Sequence, residues 1–230
     1  SVQDYIDAFT PLLEDGKDII CFTITDTLSG SFQSAMSAKQ ILEENYTQRK
    51  IYIENSYAAT GSQYLIVREA ARMQQSGYDI DAIHSFVQKA KIDSRIFFVV
   101  GTLTHLEKGG RIGKVAALSG SILNIKPLIV LANGEINKAG LARSRKKAML
   151  KLSELTKNYI TQNHFSISDF TFTIGTTNTP EEIPTFTEIL KSDLPDMEMI
   201  EPFQIGATIA THTGPMTLGV CMNKKFECYL

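Results

Sequence analysis

The segment Ile19-Ile20-Cys21-Phe22-Thr23-Ile24 constrains the fold of this 230-residue chain more than any other stretch. Apolar side chains fall on both parities of the run. A strand formed there needs cover on both faces, which is the condition of a strand in a parallel sheet sandwiched by helices. Ile51-Tyr52-Ile53, Arg95 to Val100, Lys126 to Leu131, Phe170 to Gly175, Met197 to Phe203 and Leu218 to Met222 read as further strands. Helical spacing occupies the intervals: Val2 to Phe9, Ser31 to about Asn45, a segment through Arg72 that Gly77 ends, Ile80 to Ala90, Ser144 to Asn163 and Glu181 to Leu190. Strands alternating with helices give an α/β chain.

The polar stretch Lys91 to Arg95 marks a change of pattern, because β-hairpin signals follow it. Two units are therefore expected, 1–94 and 95–230. Asn133-Gly134 has the composition of a two-residue hairpin turn. Leu103 to Lys108 reads as a short helix stopped by Gly109-Gly110, with Thr104 and Glu107 at capping-box spacing. The first strand has no strand before it to pair with, so part of the N-terminal unit is expected to lie outside this sequence.

Composition narrows the function classes. A formal net charge of −2 lacks the basic excess of a nucleic-acid binder. The longest apolar runs fall well short of the ~20 residues that cross a bilayer, and no secretory signal is seen. The three cysteines, Cys21, Cys221 and Cys228, form no CxxC pair. They read as reduced thiols of a cytoplasmic protein, with Cys21 and Cys221 inside strands. The histidines His84, His105, His164 and His212 show no ligand spacing, so no metal is expected. No GxSxG elbow surrounds Ser29. Lys108-Gly109-Gly110-Arg111-Ile112-Gly113-Lys114 fails as a phosphate loop, since Lys108 replaces a required glycine and Val115 a required hydroxyl. No catalytic residue is assigned.

Two short loops hold what chemistry remains. Ser29-Gly30-Ser31 stands at a strand-to-helix junction, where unpaired amides and the helix dipole favour an anion. The Ser29 hydroxyl would add a donor and Gly30 would admit a ligand closely. Simple N-capping by Ser29 or Asp26 explains the same residues. His212-Thr213-Gly214-Pro215 ends a small-residue helix on which Ile205, Ile209 and His212 share a face. A helix C-terminus favours a cation, which suits a carboxylate partner; a histidine hydrogen-bonded to the last carbonyls is the alternative. Arg111 on its tight turn could meet an anion or an acidic partner. In Arg143-Ser144-Arg145-Lys146-Lys147 the basic charge opposes the helix dipole, unless the run is only a solvated face.

Four segments together resemble the DegV family of bacterial fatty-acid-binding proteins. They are Leu28-Ser29-Gly30-Ser31-Phe32-Gln33-Ser34-Ala35, Leu106-Glu107-Lys108-Gly109-Gly110-Arg111-Ile112-Gly113, Leu123-Asn124-Ile125-Lys126-Pro127 and His212-Thr213-Gly214-Pro215. They occur in the family's order across nearly the whole chain. The resemblance implies a two-domain α/β fold, each domain a mainly parallel or mixed sheet flanked by helices, with the N-terminal domain truncated here. It implies a long-chain fatty acid, of C16–C18 length, held between the domains in place of any cofactor. Ser29, Gly30, Ser31, His212 and Thr213 would form the ligand site, with Ser29 and His212 on the carboxylate. Arg111 and Arg143 would lie near the mouth, where an ATP-dependent fatty acid kinase subunit docks to make an acyl phosphate.

Two departures stand out. The family's Thr-Ser-Gln-Pro-Ser segment would end at Ser1, leaving its head-group threonine outside the sequence, and Asp26 replaces a serine of many relatives. Roughly 14 buried methylenes at about 0.8 kcal/mol each give ~11 kcal/mol gross, against about 1–3 kcal/mol from head-group hydrogen bonds. The tail would set affinity and the polar pair orientation. The rival reading is an enzyme or phosphocarrier related to dihydroxyacetone kinase subunits, using His212 covalently. A third is an interaction module working through Arg111 and Arg143.

Overall fold

A computed structural model of the chain describes residues 1–118 and 125–230. The tetrapeptide Leu28-Ser29-Gly30-Ser31 occurs again in sequence at positions 118–121, with different flanks and so not read as a repeat; that copy and the first two residues of Leu123-Asn124-Ile125-Lys126-Pro127 fall wholly or partly outside the described residues. Helix α1 (Val2–Glu14) leads to β1 (Ile19–Thr23), α2 (Ser31–Glu43), β2 (Ile51–Asn55), α3 (Thr60–Gln75) and α4 (Ile80–Asp93). Strands β1 and β2 pair in parallel, Ile19 against Ile51 through Thr23 against Asn55. Both faces of this small sheet are covered, as the two-parity pattern requires. Ile19 packs with Phe9, Leu13 and Leu42 of α1 and α2. Ile20 and Phe22 face Ile66, Met73 and Phe86 of α3 and α4.

The remaining strands make one larger sheet. They are β3 (Arg95–Val99), β4 (Lys126–Ala132), β5 (Glu135–Ala142), β6 (Phe170–Thr176), β7 (Glu198–Met199), β8 (Phe203–Gln204) and β9 (Leu218–Lys224). Their order is β5-β4-β3-β9-β6-β7, with β8 also paired to β6. The sheet is mixed: its central pairings are antiparallel, and only β7 and β8 join β6 in parallel. Asn133 and Gly134 have φ of 51° and 81°, the left-handed pair of a type I′ turn, and close the β4–β5 hairpin as expected. The single strand expected from Met197 to Phe203 is two short pieces, because Pro202 has no amide to give the ladder.

Alternation along the strands divides the large sheet into two environments. Phe97, Val99, Phe172, Ile174, Leu218 and Val220 pack against α6 (Arg145–Gln162) and α7 (Ile183–Asp193) in a continuous core. Ile96, Phe98, Ile129, Leu131 and Cys221 face the other way, toward α3 and two short helices, α5 (Thr104–Lys108) and α8 (Ala207–Thr213). Helix α3 joins the sheets. Its Ile66 and Ala70 belong to the small-sheet core, its Leu65 to the second face of the large sheet, and its Ser62 hydroxyl donates to the Arg95 carbonyl at 2.7 Å.

Candidate functional site: an apolar cavity between the two sheets

The second face of the large sheet is not filled. A cavity of about 940 Å³, counted to its opening into solvent, lies between that face and the loops leaving β1 and β2. Its floor comes from alternate residues of successive strands: Ile136, Leu131, Ile96 and Cys221 in one register-matched row. Phe98, Gly219, Gly175 and Phe203 form the next. Ile24, Leu28, Ala59, Leu106 and Ile209 close the walls. Burial in this surface pushes the Cys221 thiol up to about 12, so it stays neutral and adds no charge.

The polar residues gather where the β1 loop meets the β4–β5 hairpin. Thr25 and Thr27 both donate to the Gly134 carbonyl, the first at 2.8 Å, and tie the loop to the hairpin. Beyond them Ser29 reaches the cavity wall. Its Oγ accepts from the Ser31 amide at 3.2 Å and lies 2.8 Å from the Ser31 hydroxyl. Ser29 thus partly serves the first amide of α2, while Gly30 is the formal N-cap and offers no side chain. The capping role suggested for Asp26 is not seen; that residue is exposed. Gly30 has open space around its Cα, and neither it nor Ser31 lines the cavity.

Arg111 also borders the cavity. Its Nε donates to the Leu28 carbonyl at 3.2 Å and its Nη1 to the Gly109 carbonyl at 2.6 Å. The guanidinium therefore straps the glycine turn after α5 to the loop that carries Ser29. Arg143 is exposed and lies away from the cavity lining. Its neighbour Arg145 is the structurally committed one, pairing with Glu182 and donating to the Met216 carbonyl at 2.8 Å.

His212 lines the cavity from α8. Its Nδ1 is buried without a hydrogen-bond partner among the described residues, so it does not serve the last carbonyls of its helix. The helix is closed instead by the Gly214 amide, which donates to Ala210 at 2.7 Å, with Gly214 at φ +83°. The imidazole rests on Gly109, where a Cβ would stand 2.1 Å from Nδ1. Conversely, His105 rests on Gly214, where a Cβ would stand 2.6 Å from the ring. Each loop thus supplies a glycine for the other's histidine. Thr177 reinforces the arrangement by donating to the Gly214 carbonyl at 2.9 Å, and Thr217 does so at 3.1 Å. Thr213 borders the cavity, but its hydroxyl donates back to Ile209 at 3.2 Å.

Ser29, Arg111, His212 and Thr213 are therefore brought to one cavity, and Gly30, Ser31 and Arg143 are not among its lining residues. The sequence reading missed Thr60, Phe203 and Thr217 on the lining. Thr60 holds φ of +46°, a conformation a β-branched residue adopts at a cost of about 1–3 kcal/mol. Nothing in Ala58-Ala59-Thr60-Gly61 announces it. Among the described residues no group of His, Cys, Asp or Glu is placed to hold a metal, and no helix is long and apolar enough to cross a membrane.

This geometry has close parallels. A stearic-acid-binding protein from Eubacterium ventriosum superposes with a TM-score of 0.92 at 33% identity, covering 99% of this chain and 78% of that one. A fatty-acid-binding DegV family protein from Thermus thermophilus gives 0.85 at 27% identity, covering 97% and 77%. A DegV domain-containing protein of Clostridium perfringens is 33% identical over 218 residues, 94% of this chain and 73% of the relative. The model of the uncharacterised DegV family matches residues 1–225. With the mixed sheet, the cavity against it and these matches agreeing, the chain belongs to the DegV family.

Proposed function

We propose that this protein binds a long-chain fatty acid, of sixteen to eighteen carbons, in the cavity between a unit of residues 1–94 and one of 95–230. Ser29 and His212 take the carboxylate, with Arg111 beside them. The observation that carries this reading is the cavity's division of chemistry. Its floor is apolar, and the Ser29 hydroxyl, the Arg111 guanidinium and the His212 imidazole sit on its walls.

Length agrees. The lining crosses six strands, β5 to β8, in five steps of about 4.8 Å, or about 24 Å in all. With carbon–carbon bonds of about 1.5 Å an extended chain advances about 1.25 Å per carbon, so eighteen carbons reach about 22 Å. The bound stearic acid of the Eubacterium relative supports the same class of ligand.

The protein acts in this reading as a cytoplasmic carrier rather than an enzyme. It presents the carboxylate to an ATP-dependent fatty acid kinase subunit, with Arg143 exposed for that contact. Delipidated protein should gain several degrees in melting temperature on adding C16–C18 acids, since a ligand that binds only the folded state stabilises it. No gain with any of these acids defeats the proposal. Mass spectrometry of material as purified separates it from covalent use of His212: released fatty acid supports the carrier, and an adduct on His212 the rival. Ser29→Ala and His212→Ala should lower acyl-phosphate formation by a kinase more than lipid affinity. Equal losses would remove the orienting role.

A further inference from the structure

We propose that Phe203 is the end wall of the cavity and sets the length of acyl chain that fits. The inference rests on the fatty-acid reading above and assigns the far end of the same site.

Phe203 stands on β8, paired with Gly175 of β6 at the edge of the sheet opposite the β4–β5 hairpin. The loop that carries Ser29 reaches that hairpin: Thr25 and Thr27 donate to its Gly134, and Arg111, bound to the Leu28 carbonyl, lies two residues before Gly113, where a Cβ would stand 3.4 Å from the Ile136 carbonyl oxygen of β5. A ligand anchored there and lying across the strands meets Phe203 last. The ring is held on two sides by residues without side chains. A Cβ at Gly61 of α3 would stand 2.6 Å from its Cε1, and one at Gly175 would stand 2.5 Å from its Cζ. The ring thus fills a slot between the first turn of α3 and strand β6, while remaining part of the cavity lining. A stopper seated against two backbones cannot retreat, so a longer chain has nowhere to go. The two glycines make the stop rigid, and the ring makes it blunt.

The test measures binding of saturated fatty acids of twelve to twenty-two carbons to delipidated wild type, Phe203→Ala, Phe203→Leu and Gly61→Ala. Removing the ring should raise affinity for the twenty-carbon acid relative to the sixteen-carbon acid by roughly tenfold, through extra buried methylenes. Phe203→Leu should give the same shift in smaller measure. Gly61→Ala should move the preference to shorter chains by pushing the ring inward, a reversal of sign that general loosening would not produce. An unchanged length ranking in Phe203→Leu and Phe203→Ala overturns the assignment; if the alanine variant does not fold, the leucine variant decides alone. Wild type that binds none of the acids overturns the fatty-acid reading itself, which separates the two failures.

Discussion

Neighbouring residues of one strand serve opposite ends on the two faces of the large sheet. Leu218, Val220 and Met222 of β9 are fully buried against α6 and α7. Gly219 and Cys221, on the same strand, border a cavity. The backbone and its hydrogen bonds are shared, so the difference lies in what covers each face: α6 and α7 pack closely on one, and the other is left open. Where the sheet must be solid, large residues interdigitate to interior density. Where it must hold something, β9 and β6 present glycine at 219 and 175, directly paired across the strands. Those glycines seat rings, Phe203 against Gly175 and Phe98 against Gly219, on a face that also carries Ile96 and Leu131.

The largest test of this contrast is Phe172→Ala on the solid face, where the ring is fully buried. A loss of about 3–5 kcal/mol is expected in urea unfolding; a loss below about 1.5 kcal/mol would mean that this face also tolerates voids. Next, Gly109→Ala places a methyl where the His212 ring lies. Overpacking should cost about 1–3 kcal/mol, and fatty-acid affinity should fall with it, because the imidazole is displaced from the cavity wall. Retained affinity would show that His212 does not need its seat. A sharper comparison pairs two adjacent positions: Val220→Ala should cost about 2 kcal/mol and Cys221→Ala less than about 1 kcal/mol. Equal costs would erase the distinction between the faces.

The smallest effect concerns the tie between them. Arg145, on the solid side, pairs with Glu182 and holds the Met216 carbonyl in the segment after α8. Burial alone would raise the Glu182 carboxyl, but the Arg145 guanidinium outweighs it and holds it below the ordinary carboxylate range. A folded-state value below the unfolded one contributes stability at neutral pH that disappears as pH falls through the folded value. Glu182→Gln should therefore lower the melting temperature slightly near neutrality, by no more than about 1 kcal/mol in stability terms. The gap from wild type should close as the solution is acidified below the usual carboxylate range. A gap that stays constant to low pH would show that charge is not its source.

Much of the fold was legible because its signals are local. Both-face burial of β1 follows from apolar residues on both parities, and the hairpin follows from Asn133-Gly134. Ser144 accepts from the Lys147 amide at the start of α6, as a capping serine should. The local signals failed where context intervened. Thr104 is itself the first helical residue of α5, with Leu103 at the cap, so the expected capping box does not form. Ile205 precedes α8 rather than sharing its face with Ile209 and His212, because Gly206 is the cap. At the site, Ser29, Arg111 and His212 could be named from their loops, but their convergence on one cavity depends on strand order. Phe203 was unreadable for the same reason: its partners Gly61 and Gly175 are distant in sequence and meet it only through the sheet.

The crossed seating of His105 on Gly214 and His212 on Gly109 has a hereditary consequence. Neither segment can accept an ordinary residue at its glycine without evicting the ring supplied by the other. Two stretches of the gene that never touch in the linear message are thereby obliged to drift as one unit.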